Sequence, residues 1–136
     1  MARHSGRCHC GALRFSFRTD KPLSPRACQC SFCRRHGART VSDPDGEAVL
    51  APGPATNRYR FGTGGTDFLL CGTCGGYAGA TIARDGRLYA TLNLNLFEDA
   101  RDDLVADPVS YDGESAAARS ERRRRNWTPA IVLPDS

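Results

Sequence analysis

Seven cysteines, all before residue 75, fall into three groups: Cys8-x-Cys10, Cys28-x-Cys30-x-x-Cys33 and Cys71-x-x-Cys74. Thiolates at these spacings are ligands for a soft metal ion. Four of them close a tetrahedral zinc site, whereas three leave one coordination position for water or a substrate. Seven divides naturally into four and three, so the expectation is two zinc ions per chain. Disulfide bonding fits less well, because an odd count leaves one thiol over. Nothing in Met1 to Cys8 resembles the apolar core of an export signal, which argues for a reducing, cytoplasmic setting.

Spacing constrains how each group can work. On an extended strand Cys8 and Cys10 share a face with Cα atoms roughly 6.6 Å apart. Zinc–sulfur bonds of about 2.3 Å need the sulfurs closer than about 4 Å, so the chain must bend there, and Gly11 eases the bend. Cys71-Gly72-Thr73-Cys74-Gly75-Gly76 reads as a zinc knuckle, a turn that brings two thiolates together. No alternation of strands and helices surrounds it that would make it a redox pair. Cys28, Cys30 and Cys33 can grip one ion as a tripod from a single loop, leaving the outer pairs to share the other. Spacing leaves other groupings open, such as Cys8, Cys10, Cys28 and Cys30. His36 follows Cys33 at a ligand spacing and could close the tripod, move protons beside it, or be an ordinary loop histidine. His9 lies on the opposite face of its strand, where a surface role is expected.

The elements that must carry these groups read mostly as strands. Leu13, Phe15 and Phe17 alternate with Arg14, Ser16 and Arg18, the pattern of a half-buried strand. Pro22 and Pro25 end it and lead into a loop bearing the tripod. Short strands are expected at Glu47 to Leu50, Arg58 to Phe61 and Asp67 to Leu70, between glycine- and proline-rich turns. Tyr77 to Ala83 and Leu88 to Phe97 flank Asp85-Gly86, a hairpin signal, and in the second arm Leu92, Leu94 and Leu96 face inward while Asn93 and Asn95 face water. Residues 99–136 read as a C-terminal extension packing on a core of about 5–98. Within it, one helical turn is expected at Asp99 to Val105, extended chain at Pro108 to Tyr111, and an exposed helix at Glu114 to Arg125. Nothing marks a second domain in residues 1–136.

Composition narrows the class further. Hydrophobic residues make up 40% of the chain, against 14 glycines and 8 prolines. The apolar core is therefore modest, and bound metal would supply folding free energy on the order of 10 kcal/mol. No apolar run approaches the roughly 18 residues of a membrane span. The net charge is +4, and every basic residue except Lys21 is Arg, the side chain suited to carboxylates and phosphates. Part of that charge offsets thiolates. Arg122 to Arg125 point all round a helix, which suits a solvated or acid-paired surface better than a nucleic-acid stripe. No aromatics suited to base stacking are interleaved with them, so nucleic acid is disfavoured as a partner.

Three segments together resemble a known family. Gly6 to Phe15 (GRCHCGALRF), Cys28 to Gly37 (CQCSFCRRHG) and Phe68 to Gly75 (FLLCGTCG) are similar to the glutathione-dependent formaldehyde-activating, or CENP-V/GFA, domain. The resemblance covers residues 5 to 98. It implies an all-β, Mss4-like fold of small antiparallel sheets, with a structural zinc on Cys8, Cys10, Cys71 and Cys74 and a second zinc on Cys28, Cys30 and Cys33. It further implies a carbon–sulfur lyase-type activity on glutathione, or a similar thiol, and formaldehyde or another small aldehyde. The thiol would be the fourth zinc ligand. Arg34, Arg35 and Arg39 become candidates for gripping glutathione carboxylates. The alternative is a noncatalytic zinc protein with a structural or thiol-carrier role. The chain departs from the family in its C-terminal stretch, which lacks the His-x-Phe and nearby Trp common there. Tyr111 and Trp127 are expected to pack the tail over the β core rather than to wall a substrate site.

Overall fold

The computed structural model describes residues 2–62, 64–99 and 103–134. In chain order they form β1 (Ala2–Arg7), β2 (Arg14–Thr19), β3 (Arg26–Cys28), α1 (Ser31–His36), β4 (Thr40–Val41), β5 (Glu47–Ala51), β6 (Thr56–Tyr59), β7 (Asp67–Cys71), β8 (Tyr77–Arg84), β9 (Arg87–Asn93), β10 (Asp107–Val109), α2 (Ala116–Asn126) and β11 (Thr128–Val132). The ladders join into one connected sheet in the order β1-β2-β5-β11-β9-β4-β3-β10, with β6-β7-β8 attached through β9. Most pairs are antiparallel, but β11 runs parallel to β5 and β10 parallel to β3. The small antiparallel sheets that the resemblance implies are thus joined through β11, which pairs parallel with β5 and antiparallel with β9, while β10 adds a parallel edge on β3.

Local chemistry explains the elements. Along β2, Phe15 and Phe17 are buried while Arg14 and Arg18 face water. The β8–β9 hairpin turns at Asp85 and Gly86, both at positive φ (53° and 77°), the conformation a tight two-residue hairpin turn demands and Asp-Gly favours. Two expectations change. The strand predicted through Phe97 stops at Asn93, whose side chain accepts a hydrogen bond from the Asn95 N–H at 3.2 Å and starts a 3₁₀ turn over Leu94–Leu96. Asn93 itself is buried, donating to the Tyr77 carbonyl at 2.9 Å, so it does not lie on a solvated face. The loop predicted for the tripod contains α1, capped by Cys30, whose sulfur accepts from the Cys33 N–H at 3.3 Å.

The C-terminal extension is part of the sheet rather than a cover over it. Its helix α2 starts two residues later than predicted, with Ser115 as N-cap, and β11 then inserts between β5 and β9. Pro129 and the exposed Ile131 disguise this strand in the sequence, because the former reads as a strand breaker and the latter reverses the expected burial. The predicted extended stretch contains β10. Of the helical turn expected over Asp99 to Val105, residues 100–102 lie outside the described residues, and no helix forms at 103–105.

Two apolar clusters fill the interior. One gathers Leu13, Phe15, Phe17, Leu50, Leu92 and Phe97 together with Cys8 and Cys71. The other gathers Phe32, Phe68, Tyr77, Ile82 and Trp127 around Cys33. Each cysteine group therefore sits at the margin of its own apolar cluster. Among the described residues no helix is long and apolar enough to cross a membrane.

Two cysteine clusters and the cavity beside the second

Cys8, Cys10, Cys71 and Cys74 converge from two turns far apart in sequence, their sulfurs all within 4.8 Å of one another. Cys8 and Cys10 lie 3.7 Å apart at sulfur, and Cys10 and Cys71 3.5 Å. Such spacings fit a tetrahedron of thiolates around zinc at bond lengths of about 2.3 Å. The bend predicted after Cys8 is a turn in which the Gly11 N–H donates to the Cys8 carbonyl at 3.0 Å. Backbone N–H groups of Thr73 and Cys74 approach the Cys71 sulfur at 3.4 and 3.5 Å, and that of Leu13 approaches Cys8 at 3.3 Å. Backbone donors at Cys10 and Gly76 pull the Cys74 thiol down to about 6, so the fold already favours thiolate at Cys74. Gly76 permits the two turns to meet: a Cβ there would stand 2.9 Å from the Cys8 Cβ.

The second group is assembled differently. Cys28 ends β3, Cys30 caps α1 and Cys33 lies on the buried face of that helix, so one strand end and one helical turn bring three sulfurs within 4.8 Å. Hydrogen bonds from the Cys28 and Cys33 thiols, then from the Cys33 and Phe32 N–H groups, lower the Cys30 pKa strongly. The same sharing pushes Cys33 up, so the group ionises first at Cys30. Three soft donors with one already favoured as thiolate suit zinc, though at most as three of its four ligands. His36 does not join them. Its Nδ1 lies 2.9 Å from the Phe32 carbonyl and its ring packs on Phe32 with centroids 4.2 Å apart, leaving it exposed and outside the sulfur group.

Beside the three sulfurs is a cavity of about 160 Å³. Its floor comes from the sheet, through Phe68, Tyr77 and Thr91, and Arg26 enters from β3. The C-terminal extension supplies further lining: Tyr111, then Arg119, Arg122 and Arg123 of α2, then Trp127. Tyr77 is buried, and burial first, with negative charge on the Cys33, Cys30 and Cys28 sulfurs second, raises its pKa well above the ordinary phenol value. Arg122 pairs with both Glu114 oxygens at 3.0 and 3.1 Å while its guanidinium lies 3.4 Å above the Tyr111 ring. Arg123 stacks 5.0 Å from the Trp127 ring and donates to Thr66 Oγ1. Burial lowers its pKa, and its Nε has no hydrogen-bond partner among the described residues.

Several sequence-based expectations are redrawn by this geometry. Arg34 and Arg35 are exposed on α1 and outside the cavity lining, with Arg35 Nη1 spent on the Ser31 carbonyl at 3.0 Å. Arg39 bonds Asn95 Oδ1 at 2.6 Å and the Leu104 carbonyl at 2.7 Å, also away from the cavity. His9 is exposed, as expected. The Arg122 to Arg125 run is acid-paired in part, through Arg122 on Glu114 and Arg124 on Glu121, but Arg122 and Arg123 face the cavity. Tyr111 and Trp127 line it as well as packing the tail. Sequence reasoning missed these wall residues, and Tyr77 with them, because only the return of β11 into the sheet brings α2 over the cysteines.

A family model described as glutathione-dependent formaldehyde-activating enzyme matches residues 3–108. A crystal structure of a Rhodobacter sphaeroides protein is 30% identical over 76% of this chain and 97% of that one, with a TM-score of 0.56. The likeness agrees with the sheet described above and with an all-β, Mss4-like fold. The match to the family model ends before α2 and β11, so the arginine-bearing wall lies beyond it.

Proposed function

The chain belongs to the glutathione-dependent formaldehyde-activating enzyme family, and from that premise we propose that it joins a thiol, glutathione or a close analogue, to a small aldehyde such as formaldehyde at the cavity beside Cys28, Cys30 and Cys33. The reaction, read in either direction, is of the carbon–sulfur lyase type. A bond forms between the thiol sulfur and the carbonyl carbon, and the thiol proton ends on the former carbonyl oxygen, giving an S-hydroxyalkyl adduct. In the proposal Cys8, Cys10, Cys71 and Cys74 hold a structural zinc, and Cys28, Cys30 and Cys33 hold a second. Zinc bound at the second group would supply a soft Lewis acid that keeps an incoming thiol as thiolate.

The residues around the group carry the rest. Tyr77 lines the cavity and is held as a neutral phenol by burial, so its hydroxyl is suited to donate to the aldehyde oxygen as charge develops there. Phe68, Tyr111 and Trp127 narrow the space and exclude water, which competes with the thiol for the carbonyl. His36 is assigned no part in the chemistry. A reducing cytoplasm is the compartment in which such thiols abound, and we place the protein there.

The observation that carries this reading is the gathering of three sulfurs, without a fourth protein donor among the described residues, at the edge of a lined cavity. Exchange spectroscopy on glutathione and formaldehyde tests it. Zinc-loaded protein is expected to accelerate exchange at least tenfold over buffer, and Cys33→Ser is expected to lose that acceleration while keeping the zinc on the other cysteines. Thiol binding without acceleration would favour the thiol-carrier alternative, and absence of both would end the proposal.

A further inference from the structure

Among the described residues four arginines line the cavity, and they are not equivalent. Arg119 and Arg122 share Glu114, at 3.6 Å and 3.0 Å. Arg26 and Arg123 have no carboxylate within salt-bridge distance among the described residues: Arg26 donates to Ser42 Oγ at 2.5 Å, and Arg123 to Thr66 Oγ1. Both side chains are half-buried. A half-buried guanidinium normally sits opposite an acid, because removing its charge from water is costly without a countercharge. These two line the same cavity, one on β3 and one on α2. The single acid in the lining among the described residues, Asp112, is exposed.

Arg123 is also held in place. Its run of four arginines would ordinarily be a solvated face, yet Arg124 is tied to Glu121 and Arg125 is exposed. Arg122 turns inward but is spent on Glu114, whereas Arg123 turns inward with its guanidinium carbon 5.0 Å from the Trp127 ring centroid, anchored on Thr66, and with its Nε unpaired among the described residues. A planar donor fixed this way is prepared for a planar acceptor.

We propose that Arg123 and Arg26 form a carboxylate-binding subsite, so that the thiol acted on at Cys28, Cys30 and Cys33 is one that carries a carboxylate. This rests on the function proposed above and adds to it the feature by which the thiol is selected. The competing role for the two arginines is to offset thiolate charge, in which case every thiol would feel their loss equally.

Calorimetric titration of the zinc-loaded protein separates these cases. Glutathione, its ethyl ester at the glycine carboxylate, 2-mercaptoethanol and mercaptoacetate serve as probes. The expectation is that wild type binds mercaptoacetate at least tenfold more tightly than 2-mercaptoethanol. In Arg123→Gln that ratio collapses toward one, the affinity for 2-mercaptoethanol stays unchanged, and Arg123→Lys restores part of the preference. Arg125→Gln is expected to change nothing. A difference between glutathione and its ester assigns the subsite to the glycine carboxylate, and equal binding of the two assigns it to the γ-glutamyl carboxylate, provided Arg123→Gln weakens both. Equal wild-type affinity for mercaptoacetate and 2-mercaptoethanol overturns the subsite and leaves the thiol chemistry standing, and this arm needs no variant to fold. A uniform loss across all thiols in Arg123→Gln overturns it in favour of charge balance. Absence of binding by any thiol overturns the function itself.

Discussion

Gly76 shows how much a single side-chain position decides. Its missing Cβ is the reason the turn after β7 can approach Cys8, since an added methyl would stand 2.9 Å from the Cys8 Cβ and 3.6 Å from the Cys74 sulfur. Gly76→Ala must separate the two turns or strain them, at about 1–3 kcal/mol. Metal analysis of this variant under a chelator is expected to show faster release of the ion on Cys8, Cys10, Cys71 and Cys74 than in wild type, together with a lowered melting temperature, while release from the second group is unchanged. Unchanged release and melting would refute the close-packed arrangement. Tyr77 invites the opposite test, one of chemistry without stability. Tyr77→Phe keeps the ring in its apolar cluster and removes the donor proposed for the aldehyde oxygen. Exchange catalysis is expected to fall about a hundredfold with thiol affinity unchanged. A parallel loss of affinity would instead place the hydroxyl in binding.

At the scale of elements, the junctions are secured by a few buried polar groups. Asp43, in the connection between β4 and β5, is buried. Its carboxylate accepts from Thr19 Oγ1 at the end of β2 (2.5 Å), Lys21 Nζ (2.7 Å) and the Asp45 N–H (2.9 Å), while its own N–H donates to Thr128 Oγ1 of β11 (2.9 Å). Burial alone would raise its pKa, but the Lys21 and Thr19 hydrogen bonds outweigh it and hold Asp43 below the usual carboxylate range. Asp43→Ala orphans these donors and is expected to cost about 2–4 kcal/mol in chemical denaturation at neutral pH, whereas Asp45→Ala, at an exposed site, costs under about 1 kcal/mol. Equal effects would show that the Asp43 network is not a junction. Which elements the sequence disclosed follows the same physics. The β8–β9 hairpin was legible because Asp85-Gly86 has one favoured geometry, and β2 because its alternation reports one buried face. β11 was not, since Pro129 hides its pattern and its neighbours come from distant parts of the chain. The cysteine groups were readable from spacing, whereas the cavity wall was not, since α2 reaches it only once β11 is threaded between β5 and β9.

For the whole molecule, the two cysteine groups should differ in what their metal does for the fold. The first joins the turn after β1 to the turn after β7, positions 61 residues apart between Cys10 and Cys71, and two of its sulfurs are in the larger apolar cluster. The second is local, spanning one strand end and one helical turn, in a region that β10 and the sheet already pin. Metal binding to a group that exists only in the folded chain is folding free energy, and it is greatest where the ligands are distant in sequence. A chelator chase followed by a metal-sensitive dye and by circular dichroism is therefore expected to resolve two phases. The first equivalent leaves quickly from Cys28, Cys30 and Cys33, abolishing exchange catalysis with the sheet intact. The second leaves only as the sheet signal is lost, at the rate of unfolding. Cys33→Ser should erase the first phase and leave the second untouched, while Cys71→Ser should give a chain that unfolds without the slow phase. Simultaneous release of both equivalents would mean that the two groups share one cooperative unit, and that the proposed reaction centre cannot be emptied without dissolving the sheet that supports it.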